Sequence, residues 1–125
     1  MSATATATRG FGLGRTIYGT GLMLMPGRFG RPWIGSHAQE PTAQLALRAL
    51  GVRDAVLGIG ALLTADDPDR QRPWLAAGAI SDLVDGVATL AAGAAIPRRS
   101  REGVAAFAAV SALTGAILTR ARTSD

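Results

Sequence analysis

Six ionisable residues stand inside stretches that otherwise hold almost no charge: Arg15, Arg48, Arg53, Asp54, Asp82 and Asp85. Two kinds of chemistry use such a set. Asp82 and Asp85, at i, i+3 spacing, share one face of a helix, and with Asp54 they are the candidate catalytic carboxylates. On that reading they serve as a proton relay, a substrate counter-charge or a general acid/base pair. The other reading is a closed ion-pair network. Three arginines match three aspartates, and a planar guanidinium takes a carboxylate bidentately, so the set pins helix register without reacting with anything.

Rival chemistries fall on specific residues. Asp82-Leu-Val-Asp85-Gly86 resembles the opening of D-x-x-D-G-x-x-A-R, the signature of CDP-alcohol phosphotransferases, whose carboxylates hold divalent metal around a diphosphate. Here Thr89 and Leu90 replace the Ala and Arg, and no further aspartate occurs before Asp125. Neither metal nor another cofactor is therefore expected. His37, the single histidine, precedes Glu40-Pro41 in a loop and is expected to be solvated. Ser81 and Ser111 have no histidine base beside them. Gly19-Thr20-Gly21 and Gly58-Ile59-Gly60 follow no strand, so they read as packing residues rather than a dinucleotide fingerprint. With no cysteine there is no disulfide, thiolate nucleophile or Cys-based metal site.

The elements that must position the cluster are four apolar segments, residues 10–25, 45–64, 74–96 and 103–119. A membrane span takes about 20 apolar residues. The second to fourth segments meet that length. The first is short and must borrow from the Ala/Thr-rich residues before it or from a thinned bilayer. A soluble bundle helix carries a recurrent polar face. The fourth segment has only Ser111, Thr114 and Thr119, and the third has only Asp82 and Asp85 as charges. The expected fold is thus all-α, an up-down-up-down four-helix transmembrane bundle over residues 10–119. A flexible N-terminal tail (1–9) and a C-terminal tail (120–125) flank it.

Composition agrees with lipid as the main partner. Charged residues make up 18% of the chain, and most fall between the apolar segments. All 13 basic residues are arginine, which with abundant Ala and Gly points to a bacterial coding bias and the cytoplasmic membrane. The arginines are scattered and form no basic helix face, so nucleic acid is not an expected partner. Trp33 and Trp74 fall at segment edges, where an amphipathic ring suits the interface, and Phe29 and Ile34 are expected there too.

Small residues recur at helical spacing: Gly14, Tyr18 and Gly21 in the first segment, and Gly51, Ala55 and Gly58 in the second. In the third, Gly78, Asp82, Asp85, Gly86, Thr89 and Gly93 share a face. Such rows let backbones approach where lipid supplies no hydrophobic drive. A short loop makes the second and third segments antiparallel, which sets Arg53 at the level of Asp85, and Asp82 at that of Arg15. Arg48 lies near a segment edge, where its head can snorkel. Orientation stays open. Arg9, Arg70, Arg72, Arg120 and Arg122 fall on one side, and Arg28, Arg31, Arg98, Arg99 and Arg101 on the other. Such balance is similar to that of the dual-topology small multidrug-resistance exporters, although here the first segment carries Arg15 and no carboxylate.

Arg48-Ala-Leu-Gly51-Val-Arg53-Asp54-Ala-Val-Leu-Gly58, followed by Trp74 and Asp82-x-x-Asp85, resembles an actinobacterial family of small four-span integral membrane proteins catalogued only as a domain of unknown function. The likeness covers nearly the whole chain, and it implies the four-span fold without implying an activity. Three functions remain in view. One is a structural or accessory membrane protein, as a homo-oligomer or beside a membrane-protein partner. The others are a membrane-embedded enzyme on a lipid-like substrate and a small proton-coupled transporter.

Overall fold

The protein, seen in a computed structural model that describes residues 2–121, is all-α. Four long helices carry it: α1 (Ala3–Leu24), α4 (Pro41–Leu63), α5 (Pro68–Ala91) and α6 (Arg98–Ala121). Between α1 and α4 the chain makes two single-turn helices, α2 (Pro26–Phe29) and α3 (Arg31–Ile34), then a 3-10 turn over Gly35–Gln39. The long helices pack as two antiparallel pairs, α1 with α4 and α5 with α6. α4 also touches α5, whereas α1 and α6 scarcely meet.

Helix ends follow local chemistry. Residues 2–9, expected as a flexible tail, are instead the cap and first turns of α1. Ser2 accepts a hydrogen bond from the Ala5 amide through its side chain, and Thr8 donates back to the Thr4 carbonyl. With that extension the first helix reaches 22 residues, a length its apolar part alone does not have. Pro41 and Pro68 open α4 and α5, where a missing N–H costs nothing. Asp67 caps α5 by accepting from the Arg70 amide at 3.1 Å. At the other end of the chain, Arg120 and Ala121 continue α6, and residues 122–125 of the expected C-terminal tail, Arg122 included, lie outside the described residues.

Two of the four expected spans meet the length and apolarity of a membrane-crossing helix. These are α5 and α6, with mean hydropathy 1.3 and 1.6 over their best stretches. α1 and α4 are long enough, but Arg9 and Arg15 with many Gly and Thr dilute the first, and Arg48, Arg53 and Asp54 dilute the second. Hydropathy therefore supports two candidate spans rather than four.

The interior is built of small and polar residues. Gly12 and Gly19 of α1 face Gly58 and Gly51 of α4 with backbone nearly touching backbone, and Ala55 lies between them. The register differs from the expected row. Gly14 meets nothing, and Gly21 takes the ring of Phe29. On α5, Gly78 lies under the Arg15 guanidinium and Gly86 under the Ala108 methyl, while Gly93 has left the helix at φ +57. Trp74 is not simply an edge residue, since its ring covers Gly60 and joins Phe11 on the cluster of Ala61, Leu75 and Leu118.

Candidate functional site

The charged residues meet midway along the bundle. α1 brings Arg15, whose guanidinium grips Asp82 of α5 with both terminal nitrogens, at 2.9 and 2.8 Å. The second nitrogen also donates to Asp54 Oδ1 of α4 at 3.1 Å. From α4, Arg53 donates to the same Asp54 oxygen at 3.2 and 3.0 Å and grips Asp85 of α5 at 3.0 and 2.5 Å. The order Asp82–Arg15–Asp54–Arg53–Asp85 is thus one continuous lattice across three helices. α6 closes it with Ser111, whose hydroxyl donates to Asp82 Oδ2 at 2.7 Å.

Burial makes the lattice matter. The side chains of Arg15, Asp54 and Asp82 are 8%, 12% and 12% exposed, against 30% and 20% for Arg53 and Asp85. Bidentate, charge-assisted bonds of this kind are the geometry in which a desolvated pair holds. Gly78 leaves room for it, because a Cβ there would come to 3.2 Å from Arg15 Nη1 and make the guanidinium shift by a few tenths of an ångström.

Arg48 does not belong to the lattice. It is exposed and donates to the Met23 carbonyl near the end of α1. Removing it from the count leaves two arginines among three aspartates, so the expected one-to-one balance does not hold. His37 is exposed and pairs with Glu40 at 2.6 Å, away from the cluster. Among the described residues no group of three or more His, Asp or Glu is placed to hold a metal ion.

Three contributors lie outside the six candidate residues, although Thr89 belongs to the packing face expected of the third segment. Ser111 has no histidine base beside it, yet it is one of three polar positions in the apolar part of α6, residues 103–119, and it faces Asp82. Thr89 donates to the Asp85 carbonyl at 2.6 Å and accepts from the Trp33 indole at 2.9 Å, which ties α3 to α5. Trp33 is therefore a strap as well as an edge residue. The third is the seam between α1 and α6. It opens a crevice of about 780 Å³ whose wall includes Arg15, Asp54, Asp82 and Asp85.

The pairing of Arg53 with Asp85 gives a direct test. Arg53→Asp is expected to sharply reduce folded protein, because it sets a third carboxylate beside Asp54 and Asp85. Adding Asp85→Arg should recover it, read as monodisperse protein on size exclusion in detergent. Failure of the exchange to recover anything would mean that the two positions do more than pair. No family model, no curated protein and no solved structure matches the chain.

Proposed function

We propose that this chain is an integral membrane protein of four spans whose ion-pair lattice is a structural frame, acting as an accessory or scaffolding component of the membrane. The observation that carries the reading is the inverted distribution of side chains. All four long helices turn large aliphatic residues outward, among them Ile17, Leu45, Leu83 and Val110 at 59%, 73%, 61% and 65% exposure. The interior is mostly glycine, alanine and charge. In water that arrangement exposes far more apolar surface than a soluble monomer tolerates, and in lipid it is the expected one.

α5 and α6 support the same reading. Only 28% and 17% of their apolar stretches is buried inside the molecule, whereas the core helix of a soluble protein is mostly covered. α1 and α4 are less apolar, but Arg15, Arg53 and Asp54 turn inward to the lattice, and the outer face of α4, with Leu45, Val52, Val56, Ile59 and Leu63, is as aliphatic as that of α5. The likeness to the family of small four-span membrane proteins agrees with this. A structural role for the lattice is supported by the anchoring of every carboxylate in it by arginine. An acid/base residue needs freedom to exchange its proton, and Asp82 and Asp85 are each held by a guanidinium fork. The enzyme reading keeps one specific observation in its favour, the crevice that reaches these carboxylates.

The native chain contains no cysteine, so single cysteines become unique labels. Ser36→Cys lies in the first connection and Asp69→Cys in the exposed first turn of α5, just after the second. Four spans place them on opposite sides of the membrane, while a chain with only α5 and α6 embedded keeps both on one side. In oriented vesicles, a membrane-impermeant maleimide is expected to reach one site and spare the other. Equal labelling of both overturns the four-span reading.

A further inference from the structure

The lattice holds two guanidinium groups and three carboxylates, so with every member ionised it carries one negative charge in excess. The excess has an address. Asp82 and Asp85 each engage both oxygens with an arginine, but every donor given to Asp54 falls on Oδ1. Its Oδ2 takes none among the described residues, and it is not sealed in the interior: the Asp54 side chain is 12% exposed and lines the crevice. A carboxylate oxygen open to an apolar crevice and without a protein donor is left for whatever enters there, and an arriving cation or donor would satisfy it.

The crevice around that oxygen is apolar and aromatic. The chain has six aromatic residues, and four of them, Phe11, Tyr18, Trp33 and Phe107, line this one space. Aromatic faces attract a desolvated cation, more so the less hydrated it is. On α6 the lining runs from Arg99 to Thr114, about 22 Å of helix, which is room for an extended apolar body. Arg99 is exposed at the loop end, so the cation on that wall stands at the rim of the crevice.

We propose that the crevice between α1 and α6 binds a lipophilic monocation, its charge set against Asp54 and its apolar body against Phe11, Tyr18, Trp33 and Phe107. Charge complementarity distinguishes this occupant from a neutral acyl chain, which would fill the volume but leave the excess carboxylate as it is. The proposal rests on the membrane-bundle reading, because the four helices must be embedded for the crevice to open to lipid.

The test uses the purified full chain in detergent, with empty micelles as the background. Tetraphenylphosphonium and tetraphenylborate have the same shape and opposite charge. Saturable binding of the phosphonium is expected, tighter than that of the borate by at least about tenfold. Asp54→Asn keeps an oxygen for both arginines and makes the lattice neutral. It is therefore expected to fold and to lose most of that preference, and Tyr18→Leu should weaken the phosphonium alone. Equal affinity for the two ions, or phosphonium binding unchanged in Asp54→Asn, overturns the proposal. Should Asp54→Asn fail to fold, the comparison of the two ions on the native chain decides alone. Cysteine labelling of the chain in oriented vesicles separates the two readings. Same-side labelling defeats the bundle, whereas opposite-side labelling without cation preference defeats only the cation.

Discussion

Arg15→Leu is expected to yield almost no folded protein. The side chain is 8% exposed and carries three hydrogen bonds, two to Asp82 and one to Asp54. Removing one partner of a buried pair costs about 3–5 kcal/mol, because the charges left behind have no solvent. Here Asp82 is stranded with Ser111 alone, which cannot neutralise it, and Asp54 is left with Arg53 as its one guanidinium partner among the described residues. Arg15→Lys keeps the charge and loses the fork, so an intermediate yield is expected. Arg48→Leu supplies the contrast. Among the described residues its one bond is to the Met23 carbonyl, and its head is exposed, so little change should follow. Size exclusion and thermal unfolding in detergent read all three. Wild-type behaviour of Arg15→Leu would show that the lattice contributes little to the fold.

The difference between Arg15 and Arg48 also shows what sequence reveals about such a site. Both stand inside apolar helices, and composition treats them alike. Position along the helix separates them, since Arg48 falls near an end where its head reaches the surface, and Arg15 falls midway with nowhere to go. Antiparallel connectivity likewise brings Arg53 to Asp85 and Arg15 to Asp82 from depth alone. Helix rotation is harder to read. Leu83 and Val84 sit between the two aspartates of α5, and periodicity sends them outward without saying which neighbour the aspartates face. Ser111 joins the lattice for a reason visible only once α6 lies against α5. The crevice is less legible still, because it exists where α1 and α6 fail to touch, and no residue pattern encodes a missing contact.

The rows of small residues pose the same problem of rotation, and they carry the second large effect. Gly51→Ala is expected to destabilise the protein markedly, although Ala is the better helix former. A methyl group at Gly51 would lie within 2.9 Å of the Gly19 carbonyl oxygen, the Met23 amide nitrogen and the Leu22 Cβ. Two of these are backbone, which cannot turn aside as a side chain can, so α1 and α4 must separate. Overpacking of this kind costs about 1–3 kcal/mol before any further loss. A further loss follows, because the separation draws Arg15 away from Asp54 and loosens the only link between the two halves of the lattice. Gly14→Ala is the control. A methyl there meets nothing within 4 Å, so the helix-propensity gain should stand unopposed and thermal stability should hold or rise. If Gly14→Ala proves the more damaging of the two, α1 is rotated from the orientation that brings Gly12 and Gly19 to α4 and Arg15 to Asp82. The lattice and the crevice would then both have to be redrawn.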